Sequence, residues 1–164
     1  MKKVLVGILI AIVLISAFGY WYKLSFSMDE ATKFTRGHAT ASQRLLFAYQ
    51  GSPYKYALIE GITNHFASDD FYLVGMDVSG LNDVDPKDWT AVLICHTWEM
   101  WQPPKSVKSF TEKYPEANNV VYFTTSGDGN YKLNGIDAIT SASDLNVLEK
   151  DINSAVIKLE ERID

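Results

Sequence analysis

The chain has 164 residues, 47% of them hydrophobic and 21% charged, which is typical of one globular domain with a short addition. Its net charge of −5 and its scattered Lys and Arg residues leave nothing to neutralise a phosphate backbone, so we expect no nucleic-acid partner. The single cysteine, Cys95, excludes an intramolecular disulfide and a cysteine-based zinc site, and no metal ligand set is predicted.

Residues 1–23 are predicted to be a transmembrane anchor or a signal segment. The uncharged stretch 4–22 spans roughly 28 Å as a helix, close to the hydrocarbon thickness of a bilayer. It ends in an aromatic cluster at 20–22, as membrane-crossing helices often do. A small-residue cleavage site at 17–19 keeps a signal peptide open as the alternative. The length and the aromatic end favour the anchor.

The charges beside this segment predict its orientation. Lys2 and Lys3 precede it, which favours an N-terminus inside the cell and a domain outside the cytoplasm, on a single-pass chain. Lys23 on the opposite flank weakens this bias. If the segment is cleaved, the domain is secreted instead. Residues 24–42 are polar, small and without periodicity, and they predict a linker between the membrane and a domain over 43–164.

From residue 43 onward, short apolar runs alternate with helical patterns. Five runs predict buried strands, at 44–49, 71–78, 90–96, 119–126 and 135–142. Amphipathic patterns predict helices at 54–66, after Pro104, and from Asp144 to the end. Strands that alternate with helices predict an α/β three-layer sandwich around a five-stranded parallel sheet.

In such sheets, ligands bind at the carboxyl ends of the strands, near the point where the strand order reverses. The loops at 50–55, 97–104 and 126–132 follow the first, third and fourth predicted strands. The third strand and its loop read TAVLICHTWEMWQPP, with two tryptophans before a double proline. These three loops are the predicted site.

The chain from Arg44 to its C-terminus resembles a flavodoxin-like domain, most strongly from Asp88 to Gly129, with its tryptophan loop, prolines, Glu-Lys-Tyr and Thr-Ser-Gly. The unit at 45–62 resembles the family's first strand, phosphate loop and first helix, with Gly51 matching the glycine of that loop. The resemblance implies non-covalent binding of FMN and a role in electron transfer, with a redox partner protein or a quinone. It places the following residues at the cofactor: Gly51, Ser52, Thr97, Trp98, Trp101, Ser126, Gly127, Asp128 and Tyr131. No catalytic residue is predicted, since neither a nucleophile elbow nor a Walker loop occurs.

The sequence departs from the flavodoxin pattern in two places. In the loop at 49–53, where the family's phosphate loop is rich in Ser and Thr, Ser52 supplies the only hydroxyl between the strand and the helix. Pro53 has no backbone N–H to donate to a phosphate. The crossover at 128–134 is too short for the usual helix. The tryptophans and the turn at 51–53 therefore have two interpretations, a flavin site or ordinary packing. The alternative function is a binding or scaffold module that has lost its flavin.

Overall fold

The computed structural model describes residues 2–26, 28–99, 101–133 and 135–163. A six-stranded sheet forms the centre, in the order β1-β3-β2-β4-β5-β6. The strands are β1 (Phe34–Arg36), β2 (Gln43–Tyr49), β3 (Phe71–Asp77), β4 (Ala91–Thr97), β5 (Val120–Thr125) and β6 (Ala138–Ser141). The helices are α1 (Lys2–Phe26), α2 (Pro53–His65), α3 (Lys105–Lys113) and α4 (Leu148–Ile163).

Strands β2 to β6 are parallel to one another, as the alternating pattern predicts. The middle of each central strand, such as 45–49 of β2 and 91–95 of β4, is apolar because both faces of the sheet are covered. On β2, Leu45 and Phe47 face α2 and α4, whereas Leu46 and Ala48 face α3. The predicted α/β sandwich is confirmed.

Two of the crossovers contain no α-helix. Between β3 and β4 the chain forms only the 3₁₀ turns Val78–Asp83 and Pro86–Asp88. In the described part of the connection from β5 to β6, no helix is present.

The segment predicted to be a linker, 24–42, is partly built into the domain. Helix α1 extends to Phe26, and β1 pairs antiparallel with β3, so that the sheet has six strands where the pattern predicts five. The added strand is held by Phe34, whose ring lies over Gly75 and near the ring of Phe47, 6.3 Å away. A Cβ at residue 75 would lie only 2.0 Å from that ring, so the glycine makes room for it.

Helix α1 is long and apolar enough to cross a bilayer, and no part of its span Lys3–Trp21 is buried against the domain. Signal sequences near an N-terminus have the same properties. The length, composition and exposure of the helix fit both a membrane span and a signal sequence.

Candidate functional site

The carboxyl ends of β2, β4 and β5 meet at one edge of the sheet, where the three predicted loops begin. From β2 the chain passes to β3 on one side, and it then returns to add β4 on the other side. This reversal of strand order between β2 and β4 is where ligands bind in open parallel sheets. The edge is therefore the candidate site.

The loop after β2 offers few free donors to a phosphate. The Gly51 amide donates to the carbonyl of Asp29, at 2.7 Å. The Ser52 hydroxyl accepts from the Lys55 amide at 3.2 Å and so caps α2. Pro53 has no amide hydrogen. The groups that would hold a phosphate in a loop of this kind are thus already used or missing.

The reason is that the chain itself lies across the loop. A Cβ at Gly51 would meet the carbonyl oxygens of Asp29 and Glu30 and the hydroxyl of Tyr56, each at 2.9 Å. Asp29 and Gly51 also form an isolated antiparallel bridge. The segment 28–30 therefore covers the position at which the resemblance places the FMN phosphate.

Beside this loop, the side chain of Lys55 is fully buried. Its ammonium donates to the Thr97 hydroxyl at 2.5 Å and approaches the sulfur of Met28 at 3.5 Å. The Thr97 hydroxyl also bonds that of Thr125, at 2.7 Å. Among the described residues, no carboxylate forms an ion pair with Lys55.

Burial lowers the pKa of Lys55, since removal from water disfavours the charged amine. Negative charge at Glu99 acts in the opposite direction. The nearby Cys95 thiol supplies no charge at neutral pH, because burial raises its pKa to about 12. Lys55 is thus a buried cation that lacks a close counter-charge from the described residues.

A chain of hydrogen bonds joins the loops around this lysine. Gln50 accepts from the Thr97 amide at 2.6 Å and donates to Glu99 at 2.9 Å. The same Glu99 oxygen accepts from the Met28 amide at 3.4 Å. These bonds connect β2, β4 and the segment that follows α1, and they hold the edge in one arrangement.

Lys55 lies in the wall of a hollow of about 430 Å³. Four of the nine predicted cofactor residues line the same hollow: Ser52, Thr97, Ser126 and Gly127. Thr125 adds a further hydroxyl, and Leu145 lies at its margin. The structure therefore brings part of the predicted site together around an amine that the resemblance does not include.

The other predicted cofactor residues do not line this hollow. Trp98 packs against Tyr131, with ring centroids 5.6 Å apart and planes inclined by 38°. Trp98 lines a second hollow, of about 480 Å³, and its buried Nε1 has no partner among the described residues. Asp128 accepts from the Ser126 hydroxyl at 2.9 Å and closes its own turn. Trp101 is 77% exposed.

A buried hydrogen-bonded group secures the side of the hollow. Asp151 of α4 accepts from the Tyr54 hydroxyl at 2.5 Å and from the Ser141 hydroxyl at 2.6 Å. Burial, together with the bond to this carboxylate, raises the pKa of Tyr54. The group ties α2, α4 and the end of β6 together, and this gives it a structural role.

Without β1, the strand order is β3-β2-β4-β5-β6, which is the flavodoxin order. The chain has a flavodoxin-like fold. No protein-family model matches it, and no curated protein matches it. A solved flavodoxin from the domain Archaea is similar, with 10% identity and a TM-score of 0.46 over 74% of this chain and 100% of the other. The flavodoxin, WrbA-like protein from Agrobacterium tumefaciens has 12% identity and a TM-score of 0.44, over 74% and 98%.

The residues present do not fit FMN in the way that the resemblance implies. The phosphate position is covered by residues 28–30, and Trp98 is paired with Tyr131. Trp101 projects into solvent. The sequence does contain a signal for Lys55. Its spacing to Leu58, and onward to Ile59 and Ile62, places it on the buried face of α2.

Proposed function

We propose that the protein is a membrane-tethered binding module that holds a small anionic ligand at Lys55. The observation that carries the proposal is a buried ammonium beside a hollow, with a hydroxyl and a thioether next to it and no carboxylate paired to it in the described structure. A buried charge without a counter-ion costs several kcal/mol. A carboxylate or phosphate group in the hollow would offset that cost and favour the protonated amine.

The surroundings of Lys55 suit such a ligand. The hydroxyls of Ser52, Thr97 and Thr125 line the hollow. That of Ser52 only accepts a hydrogen bond in the described structure, so its own hydrogen can be donated to an anionic oxygen. The N-terminus of α2, a helix of 13 residues, points its partial positive charge in the same direction. These groups favour a negatively charged end of a small molecule over a neutral ligand.

The tether is α1. Its length and apolar composition support a membrane span, and the lysines before it support a domain outside the cytoplasm. If α1 is removed as a signal sequence, the same domain is secreted. The intact mass of the protein from its membrane fraction distinguishes the two, because removal of α1 shortens the chain.

Titration of the full chain in nonionic detergent with inorganic phosphate and with acetate tests the ligand site. We expect phosphate or acetate to raise the thermal midpoint of the wild type and to leave Lys55→Met unchanged. Lys150→Met, which removes an exposed amine on α4, is the matched control and should respond like the wild type. Equal responses of Lys55→Met and the wild type, or none in either, would contradict the proposal.

FMN binding with electron transfer to a partner protein or a quinone is the second candidate. Its support is that Ser52, Thr97, Ser126 and Gly127 line one hollow at the strand-order reversal. This candidate predicts a yellow protein, or saturable quenching of tryptophan fluorescence by micromolar FMN. Binding of phosphate without FMN favours the anion module, whereas equal binding of FMN and riboflavin points to recognition of the ring.

A further inference from the structure

The candidate site is held close to the end of α1. The helix ends at Phe26, and Met28 already contacts Lys55 and Glu99 at the carboxyl edge of the sheet. Two Cα–Cα steps cover at most about 7.6 Å. The edge that carries the hollow is therefore the part of the domain next to the point where the chain leaves α1.

The exposed apolar side chains of the domain gather at the same edge. Outside α1, six large hydrophobic residues of the described chain are exposed: Tyr56, Trp101, Tyr131, Leu145, Val147 and Ile157. The residues Trp101, Tyr131, Leu145 and Val147 lie in the loops and the 3₁₀ turn that follow the carboxyl ends of β4, β5 and β6, and Tyr56 lies in the first turn of α2. Ile157 lies further along the chain, in the second half of α4. Single exposed apolar residues are ordinary, but a cluster at one edge indicates an interaction surface.

Trp101 is presented outward by its backbone. Glu99 and Gln102 close the turn with two backbone hydrogen bonds, of 2.9 and 3.1 Å. Trp101 adopts a φ of +60°, a left-handed conformation that is unfavourable for an L-residue. Because Glu99 also accepts from the Met28 amide, this turn is tied to the segment that emerges from α1.

Leu145 extends this surface to the mouth of the hollow. It begins the 3₁₀ turn Leu145–Val147 after β6, is 64% exposed, and lines the same hollow as Lys55. A surface that covers both Trp101 and Leu145 would therefore lie across the opening of the candidate site.

We propose that this edge docks on the interfacial layer of the bilayer that α1 spans, with Trp101 and Leu145 inserted, so that the hollow opens toward the lipid headgroups. The inference rests on the membrane tether of the proposed function. Tryptophan favours the membrane interface because its ring is apolar and its N–H is polar. Asp29, Glu30 and Glu99 make the edge acidic, so apolar insertion rather than attraction to anionic lipids drives the docking.

The test uses the full chain in nanodiscs of zwitterionic phosphatidylcholine. A polarity-sensitive fluorophore is attached at Leu145→Cys, or at Ile157→Cys as the matched control on α4. Cys95 is fully buried, so labelling is selective for the new thiol. We expect nitroxide groups placed on the lipids to quench the probe at 145 several-fold more strongly than at 157, and Trp101→Ser to reduce that difference.

Equal quenching at the two positions in nanodiscs that retain the full-length chain would overturn the docking and leave the tether intact. A probe at 145 that is shielded from iodide yet not quenched by the lipids would also overturn it, and would indicate a second copy of the chain on this edge. Loss of the chain from the nanodiscs, with α1 missing from its mass, would instead show that the tether fails. Phosphate binding at Lys55 is measured separately and does not depend on these outcomes.

Discussion

His96 is fully buried near the end of β4, and burial lowers the pKa of its imidazole from 6.5 to about 4, although the Thr97 backbone opposes part of that change. Its Nδ1 has no partner among the described residues, and Nε2 lies 3.4 Å from the Thr124 hydroxyl. The unfolded chain binds a proton near pH 6.5, whereas the folded chain does not until about pH 4. Stability is therefore full above pH 6.5 and falls as the pH drops toward 4.

The magnitude follows from the two pKa values. The gap between 6.5 and about 4, at about 1.4 kcal/mol per pH unit, corresponds to roughly 3 kcal/mol in the limit of low pH. Between pH 7.5 and pH 5, the part lost is about 2 kcal/mol. This is a large share of the stability of an ordinary domain.

The assay is urea unfolding of the full chain in nonionic detergent, followed by far-UV circular dichroism at pH 7.5 and pH 5. His96→Leu removes the titrating ring and keeps an apolar side chain in its place, so it should lose about 2 kcal/mol less than the wild type over this interval. His38→Gln, at an exposed position, is the control and should follow the wild type. If His96→Leu and the wild type lose the same free energy of unfolding, the assignment of acid sensitivity to His96 is refuted.

Three further predictions concern the buried polar groups and the added strand. The pKa of Lys55 is lowered from 10.5 in the folded chain, so at pH values between the two the unfolded chain binds more protons than the folded chain. The free energy of unfolding of the wild type therefore rises with pH in that range, and urea titrations of Lys55→Met should show no such rise. Gly75→Ala displaces the ring of Phe34, costs about 1–3 kcal/mol, and speeds hydrogen exchange in β1. Asp151→Asn removes a charged hydrogen-bond acceptor from Tyr54, lowers the free energy of unfolding by about 1.5–3 kcal/mol and so lowers the thermal midpoint. An unchanged midpoint would contradict the structural role of the carboxylate.

Much of the architecture follows from local pattern. Continuous apolar runs predict the central strands because both faces of the sheet are covered, and the strands at 44–49 and 90–96 match β2 and β4 within a residue or two. The sequence also indicates that Lys55 is buried, since Lys55 lies at helical spacing from the apolar residues of α2. The gathering of Ser52 and Thr97 at one hollow follows from parallel strands whose carboxyl ends share an edge.

The sequence by itself therefore determined the class of fold and the apolar nature of α1, and it predicted a site at the carboxyl edge of the sheet. Only the tertiary structure decided that residues 28–30 cover Gly51, that Trp98 pairs with Tyr131 and that Trp101 faces outward. The physical reason is separation along the chain. Met28 and Glu99 are 71 residues apart, so their contact forms only when the sheet is assembled, and the hydrophobic periodicity of neighbouring residues cannot predict it.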